Sequence, residues 1–476
     1  MKVSYWFLFL AAAIVGCSQK ESNTLTLVIK SDFENGEPIQ VITLKNLAEH
    51  ILVESKLDST SQALVEFELE KPTIAYVRIG NKYSEVYLTP GSKMEAWTSQ
   101  SGSPIKFTGD GADVNNYLAE VMALVETAKM RGGKYIAQLD AEPFLDRVDS
   151  IKSDLDGLYN RYTDSLKFPQ HVQSILERKK NLTPLLLKQE YAFLLLNNSL
   201  DSKAQEALPK EFAGVVDEVF FDKEFIELGV FEYDFLIQYY LMSKFHDEYL
   251  RNTQGKDTYK HLSSKTNAAI MEAKIDPNFK EYLQAKNTLY FLTMEGITPS
   301  NDSVFTELQN SIPESNYLPT LQKVYNEWLA IGAGKAAPDL SGTTIDGKTI
   351  HLSSLKDKIV FVDVWATWCA PCKEQLPDLK RIQAEFENED RVEFLYISID
   401  RDKEAWKEMI KNDKSWKGLH IIQNEIEIES FWKAYKIAGV PAYMLIDREG
   451  VIVEAKALRL SEGKLAEQIR GLLEKI

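Results

Sequence analysis

The run Ile359-Val360-Phe361-Val362-Asp363-Val364-Trp365 is apolar and β-branched except for one acid, and Ala366-Thr367-Trp368 joins it to Cys369-Ala370-Pro371-Cys372. Its length and content are those of a buried strand. The strand breaks at Ala366-Thr367, and a helix is expected to start with Pro371 in its first turn, where a missing N–H costs nothing. Leu376, Leu379, Ile382 and Phe386 recur at helical spacing and give that helix one apolar face. Cys369 then stands at the helix N-terminus, where unpaired backbone N–H groups and the positive end of the dipole favour a thiolate. Cys372 lies one turn further in, close enough to form a disulfide. A free cysteine of pKa near 8.5 is about 3% thiolate at pH 7; lowered to roughly 7 it is about half ionised. The residues are those of a site that attacks disulfides.

The segments flanking this strand and helix set the fold class of the C-terminal part. Beyond the joint Gly332-Ala333-Gly334, the segment Ala336-Ala337-Pro338-Asp339 leads to Thr343-Thr344-Ile345, the turn Asp346-Gly347 and Lys348-Thr349-Ile350, which reads as a hairpin. After the cysteine helix come a strand over 392–399, a helix over 403–411, a short strand over 419–422 and a helix over 427–437. The strand 442–446, the turn at Asp447-Arg448-Glu449-Gly450, the strand 451–454 and a helix from about Ser461 complete the pattern. Strands alternating with helices and closing on a hairpin give an α/β layer fold over 333–476.

A chain of 476 residues exceeds what one core usually serves, so further domains are expected upstream. From Leu25 to Gly111 short strands alternate with turns, as where Val65, Phe67 and Leu69 face one way. This stretch reads as an all-β, sandwich-like domain of antiparallel strands (25–111). At Asp113 the period becomes helical. Val114, Tyr117, Leu118, Val121 and Val125 form one stripe, and Phe144, Val148, Ile151, Leu155, Leu158 and Tyr162 another, giving a helical domain over 112–332. Helices are expected at about 184–197, 223–250, 256–273, 277–294 and 315–331. The stripe Phe231, Phe235, Tyr239 and Met242 is expected to face a core.

The N-terminus reads as a targeting segment. Lys2 precedes an apolar run from Tyr5 to Val15, too short to span a bilayer comfortably and of signal-peptide proportions. Cysteine use is informative, because only three occur: Cys17, Cys369 and Cys372. An exported protein without structural disulfides leaves the last two free for exchange. The six histidines show no ligand spacing with that pair, so no metal and no cofactor is expected. A formal charge of −16 argues against nucleic acid as a partner, since phosphate binding needs a basic face.

Three resemblances add to this reading. Ile14-Val15-Gly16-Cys17 resembles the lipobox of bacterial lipoproteins, which implies a signal peptide over 1–16, lipidation of Cys17, a tether over 17–24, and an anchor in the cell envelope facing the periplasm. Phe107 to Ala112 with Asn115-Asn116-Tyr117 looks like the N-terminal β-domain of envelope lipoproteins. Residues 333–476 resemble the thioredoxin fold of TlpA/ResA-like thiol–disulfide oxidoreductases, through Trp365, Trp368, the Cys-x-x-Cys with Pro371, Pro377 and Gly439-Val440-Pro441. That family implies Cys369 as the attacking and Cys372 as the resolving cysteine, paired as a redox-active disulfide, with the attacking thiolate exposed at the helix end. It implies Asp363 as a buried acid lifted in pKa that accepts the Cys372 proton. It also implies Pro441 in cis facing the pair, Val440 offering its backbone to an extended substrate segment, and Trp368 as a flat docking rim. Many members carry a glutamate three residues after the second cysteine; here Gln375 stands there, and Glu374 is turned about a hundred degrees away.

The family implies disulfide-containing envelope proteins as substrates. The Ala370-Pro371 dipeptide is that of reducing members, so reduction is the expected direction, with a membrane electron donor recharging the pair. A non-enzymatic binding or assembly lipoprotein with an accessory thioredoxin domain is one alternative. A thiol peroxidase of the redoxin superfamily is another, although the Pro-x-x-x-Thr-x-x-Cys pattern it needs is missing, Ala366 standing where Thr should be.

Overall fold

Alternating burial makes sheets of residues 24–109. The computed structural model describes residues 23–100, 103–131, 134–166, 168–198, 212, 219–246, 261–437, 439–455 and 464–474. The expected signal peptide and Cys17 lie outside these residues. Strands β1 (Thr24–Ser31), β2 (Pro38–Lys45), β3 (Ala48–Lys56), β4 (Gln62–Glu68), β5 (Thr73–Ile79), β6 (Lys82–Leu88), β7 (Lys93–Thr98) and β8 (Lys106–Gly109) form two four-stranded sheets, ordered β4-β1-β7-β8 and β3-β2-β5-β6. Leu27 and Ile29 of one sheet share a single buried core with Val41 and Val77 of the other, as in a sandwich. One pairing departs from expectation, because β1 and β7 run parallel. Period-two burial sets which face of a strand is apolar but not its direction, and β7 reaches β1 by crossing from the other sheet.

Helix α1 (Ala112–Ala128) lies on β6 and β8. Asn115 Oδ1 accepts the Tyr87 N–H at 2.7 Å, and the Asn116 amide exchanges two bonds with the Phe107 backbone at 2.8 and 2.9 Å. These paired asparagines satisfy strand ends that would otherwise be buried unpaired. A small ribbon, β9 (Met130–Arg131) and β10 (Lys134–Tyr135), leads into α2 (Ala141–Ser165), α3 (Gln170–Lys180) and α4 (Leu182–Asn198). The buried face of α2 is the expected one, Phe144, Val148, Ile151, Leu155 and Leu158.

The single helix expected over 223–250 is broken. Helix α5 (Lys223–Leu228) stops at Gly229, whose φ is +78°, and α6 (Phe231–Leu241) restarts beyond it. A Cβ at Gly229 would lie 2.6 Å from both Leu44 O and Thr43 Oγ1 of β2, so a bare backbone is required twice over. Gly229→Ala is expected to lower stability by about 2–4 kcal/mol, read as a shift of the urea unfolding midpoint. The anticipated aromatic stripe also sits on the wrong face: Phe235 is 56% exposed, while Tyr233, Leu236 and Ile237 are buried. Both faces of this helix are apolar, so periodicity alone did not separate them.

The chain divides into two compact units at Tyr239/Tyr240. The second unit opens with α7 (Leu262–Glu272), α8 (Pro277–Glu295), α9 (Pro299–Ser311) and α10 (Leu318–Ala330). Asp276 and Thr298 cap α8 and α9 through side-chain bonds to backbone N–H groups, each followed by proline. The α/β layer comprises β11 (Ser341–Thr344), β12 (Thr349–His351), β13 (Ile359–Trp365), α11 (Ala370–Glu385), β14 (Val392–Ser398), α12 (Lys403–Asn412), β15 (Leu419–Ile422), α13 (Glu425–Tyr435), β16 (Ala442–Ile446), β17 (Ile452–Glu454) and α14 (Lys464–Glu474). Its seven strands are ordered β12-β11-β15-β14-β13-β16-β17. The central β13 is parallel to β14 and antiparallel to β16, and all seven of its residues are buried. Trp328 and Ile331 at the end of α10 belong to the same core as this sheet, and Lys436 pairs with Glu327 at 2.8 Å. The extension before β11 is anchored by Tyr435, whose hydroxyl donates to Pro338 O.

Candidate active site

The site lies at the C-terminal ends of the parallel strands, where open α/β sheets place their ligands. Ile399 N–H donates to Trp365 O at 3.1 Å and fixes the ends of β13 and β14 together. The chain then turns, Cys369 N–H donating to Ala366 O at 3.0 Å. Cys369 is the N-cap of α11: its sulfur accepts the Cys372 N–H at 3.2 Å, and its carbonyl accepts Lys373 N–H at 3.2 Å. Pro371 falls in the first turn, as the sequence led one to expect. The two sulfurs are joined in a disulfide, with Cα atoms 5.3 Å apart.

The expected exposure of the attacking sulfur is not met. Cys369 is 3% exposed and Cys372 is 9% exposed. The pair sits in the main core cluster of this unit rather than at a bare helix tip. Exposure therefore does not rank the two cysteines, and their order rests on which one holds the helix start. Trp368 next to the pair is 64% exposed, a large apolar side chain kept in water.

Asp363 lies mid-strand on β13, in register with Tyr396 of β14 on one side and Tyr443 of β16 on the other. It is buried, and its Oδ1 has no hydrogen-bond partner. Burial pushes its carboxyl up to about 8, because no nearby charge compensates the desolvated anion. Tyr396 in turn stacks on His420 of β15, with ring centroids 4.6 Å apart; burial holds that imidazole down to about 4. On the other side the Tyr443 hydroxyl donates to Gln375 Oε1 at 2.9 Å. Gln375 is one turn after Cys372, so this bond ties the resolving-cysteine face of α11 to the strand beside Asp363. Glu374 is exposed and outside the arrangement.

The Val440–Pro441 peptide bond is cis. Ala442 pairs with Val364, so Pro441 stands level with Trp365, at the end of the sheet that carries Cys369. The structure thus brings Cys369, Cys372, Trp368, Val440 and Pro441 to one rim, with Asp363 in the sheet below.

One residue escaped the sequence reading. Asp400, just past β14, is buried and accepts bonds from the Thr367 N–H and hydroxyl and from the Ser398 hydroxyl. A signal was available, since Ser398-x-Asp400 ends the strand adjacent to β13.

A disulfide that caps the helix following a buried inner strand of a mixed sheet is the arrangement of a thioredoxin-fold domain with a dithiol site. A family model described as thioredoxin-like matches residues 357–452. Thiol–disulfide oxidoreductase ResA of Bacillus cereus is 30% identical over 146 residues, covering 30% of this chain and 78% of that protein. ResA of Bacillus subtilis is 28% identical over 149 residues, covering 30% and 79%. Among solved structures, the thioredoxin domain of a thiol–disulfide oxidoreductase from Bacteroides vulgatus is 29% identical, covering 29% of this chain and 97% of that one, with a TM-score of 0.27. The chain belongs to the thioredoxin-like thiol–disulfide oxidoreductases of the ResA group, and it is an enzyme of that class.

Proposed function

We propose that the protein is a membrane-tethered reductase of protein disulfides in the cell envelope, working through a dithiol–disulfide cycle of Cys369 and Cys372. The observation that carries this reading is the disulfide between a helix N-cap and its own first turn. There the Cys372 N–H already donates to Cys369 Sγ, at a helix start whose unpaired N–H groups favour a thiolate. In the reduced enzyme Cys369 attacks one sulfur of a substrate disulfide. That S–S bond breaks, one substrate thiolate leaves, and a mixed disulfide forms. In the fraction of enzyme in which Asp363 is ionised, Cys372 gives its proton to that carboxylate and attacks Cys369 Sγ; the bond from Cys369 to the substrate breaks, and the second substrate thiolate leaves and takes the proton from Asp363, which returns as the carboxylate. Two electrons pass to the substrate, and the closed pair is what the structure holds.

A membrane electron donor would reduce the pair again. Val440 and Pro441 would receive an extended segment of the substrate, and exposed Trp368 would dock its apolar part. The lipobox-like Ile14 to Cys17 supports anchoring through acylated Cys17. Residues 333–476 would then be the catalytic domain, joined to the anchor through 25–332.

Insulin reduction tests the activity. The full chain made soluble by Cys17→Ala and recharged with dithiothreitol is expected to precipitate insulin B chain well above the rate of dithiothreitol alone. No acceleration by protein with a verified Cys369–Cys372 disulfide would overturn the reading. Trp368→Ala is expected to raise KM for insulin by roughly threefold to tenfold while leaving kcat close to the parent's, the mark of binding shared by ground and transition states. Labelling with a radioactive fatty acid that persists in Cys17→Ala would remove the anchor.

A further inference from the structure

Three residues, Ala366-Thr367-Trp368, connect the central strand to the cysteine helix, and their middle member is tied to another strand. Asp400 is 3% exposed. Its carboxylate accepts the Thr367 N–H through both oxygens at 3.1 and 3.0 Å, the Thr367 hydroxyl at 2.7 Å and the Ser398 hydroxyl at 2.8 Å. The Ser398 hydroxyl also accepts Asp400 N–H at 3.0 Å, so Ser398 and Asp400 brace each other at the β14 end of the tie. Every one of these donors is neutral, and the neighbouring Arg401 turns outward to Glu425 at 3.4 Å. Among the described residues, the ionisable groups on the adjoining elements include Lys373 and Glu374, exposed on the first turns of α11, and Asp363 in the sheet below. Burying a carboxylate without a cation is costly, so packing alone does not account for an acid here.

We infer that Asp400 is a positioning residue for the attacking sulfur: through Thr367 it holds the Cys369 turn at the start of α11, and its charge tempers the acidity of the thiolate two residues further on. The inference rests on the reading of Cys369 as the nucleophile. The two effects oppose each other. Fixing the turn keeps the sulfur among the helix-end N–H groups and favours the thiolate. A carboxylate nearby disfavours it.

The two halves separate in two substitutions at one position. Asp400→Asn keeps an acceptor oxygen for Thr367 and removes the charge, so the Cys369 pKa should fall, on the order of half a unit. Asp400→Ala removes the charge and the tie together; loss of the tie should outweigh loss of the charge, so the pKa should rise above the parent's, and insulin reduction should slow roughly tenfold or more. Thr367→Val, which loses only the hydroxyl donor and leaves the charge in place, should also raise the pKa above the parent's. The measurement is the pH dependence of iodoacetamide alkylation of Cys369 in the reduced full chain with Cys372→Ser. Unfolding midpoints of each variant are recorded alongside, so that loss of fold is recognised by melting rather than by rate. Opposite shifts for Asn and Ala support the inference, since a merely structural aspartate would lower stability in both without moving the thiol in either direction. Unchanged thiol pKa values in folded Asp400→Asn and Thr367→Val, with insulin still reduced by the parent, would overturn it. Failure of the parent itself to reduce insulin would instead overturn the proposed function.

Discussion

Cys372→Ser is expected to abolish turnover of insulin by roughly three orders of magnitude or more while leaving Cys369 able to attack once. The reason lies in the division of labour within the first turn of α11. Cys369 occupies the N-cap, and its sulfur accepts the Cys372 N–H at 3.2 Å. That backbone donor survives the substitution, so the environment favouring the thiolate is kept. The serine hydroxyl cannot complete the exchange, and the mixed disulfide should accumulate. It is visible on non-reducing gels as an adduct that dithiothreitol removes. Cys369→Ser should give no adduct. The converse pattern, adducts with Cys369→Ser and none with Cys372→Ser, would reverse the assigned order, which the near-equal burial of the two sulfurs does not decide by itself. Loss of fold should not confuse the result. The loop closed by this disulfide is so short that opening it forfeits only about 2 kcal/mol of chain entropy, a minor share of the stability of an ordinary domain.

The α/β part was legible because its signals are local and agree with one another. The apolar run of β13, Pro371 in the first turn and the apolar spacing through Phe386 each point to the same strand and helix, and strands 419–422 and 442–446 fall where the pattern put them. The burial of Asp363 was legible only through resemblance, since an acid in an apolar run can equally end a strand in water. Two helices went unseen. Helix α3 has only Val172, Ile175 and Leu176 as apolar anchors, too few for a periodic signal. Helix α9 announced itself through Thr298-Pro299 rather than through periodicity. What the sequence could not carry was non-local: the parallel pairing of β1 with β7, the burial of both cysteines, and the tie from Asp400 to Thr367 across two strands.

Asp363→Asn should make the protein more stable and less active, with the stability gain growing as pH rises. Burial lifts the carboxyl from 3.8 in the unfolded chain to about 8 in the fold. Below pH 4 both states hold the proton, and the residue costs nothing by this route. Between those values the native state keeps a proton that the unfolded state has lost, so stability falls by about 1.4 kcal/mol for each pH unit until the native group ionises near 8. Asparagine does not titrate. It should therefore match the parent near pH 4 and exceed it by several kcal/mol at pH 8.5, read from urea unfolding of the oxidised protein at the two pH values. An equal gap at both would mean that Asp363 ionises in the fold as it does in water. The same substitution removes the group proposed to take the Cys372 proton. Release of the mixed disulfide should slow on the order of a hundredfold, and its pH dependence near 8 should disappear, while the first attack by Cys369 keeps its rate. An acid that destabilises the fold at working pH but speeds the second exchange is what a buried proton acceptor requires. A more stable variant that still resolves its mixed disulfide at the parent's rate would leave Asp363 without that role.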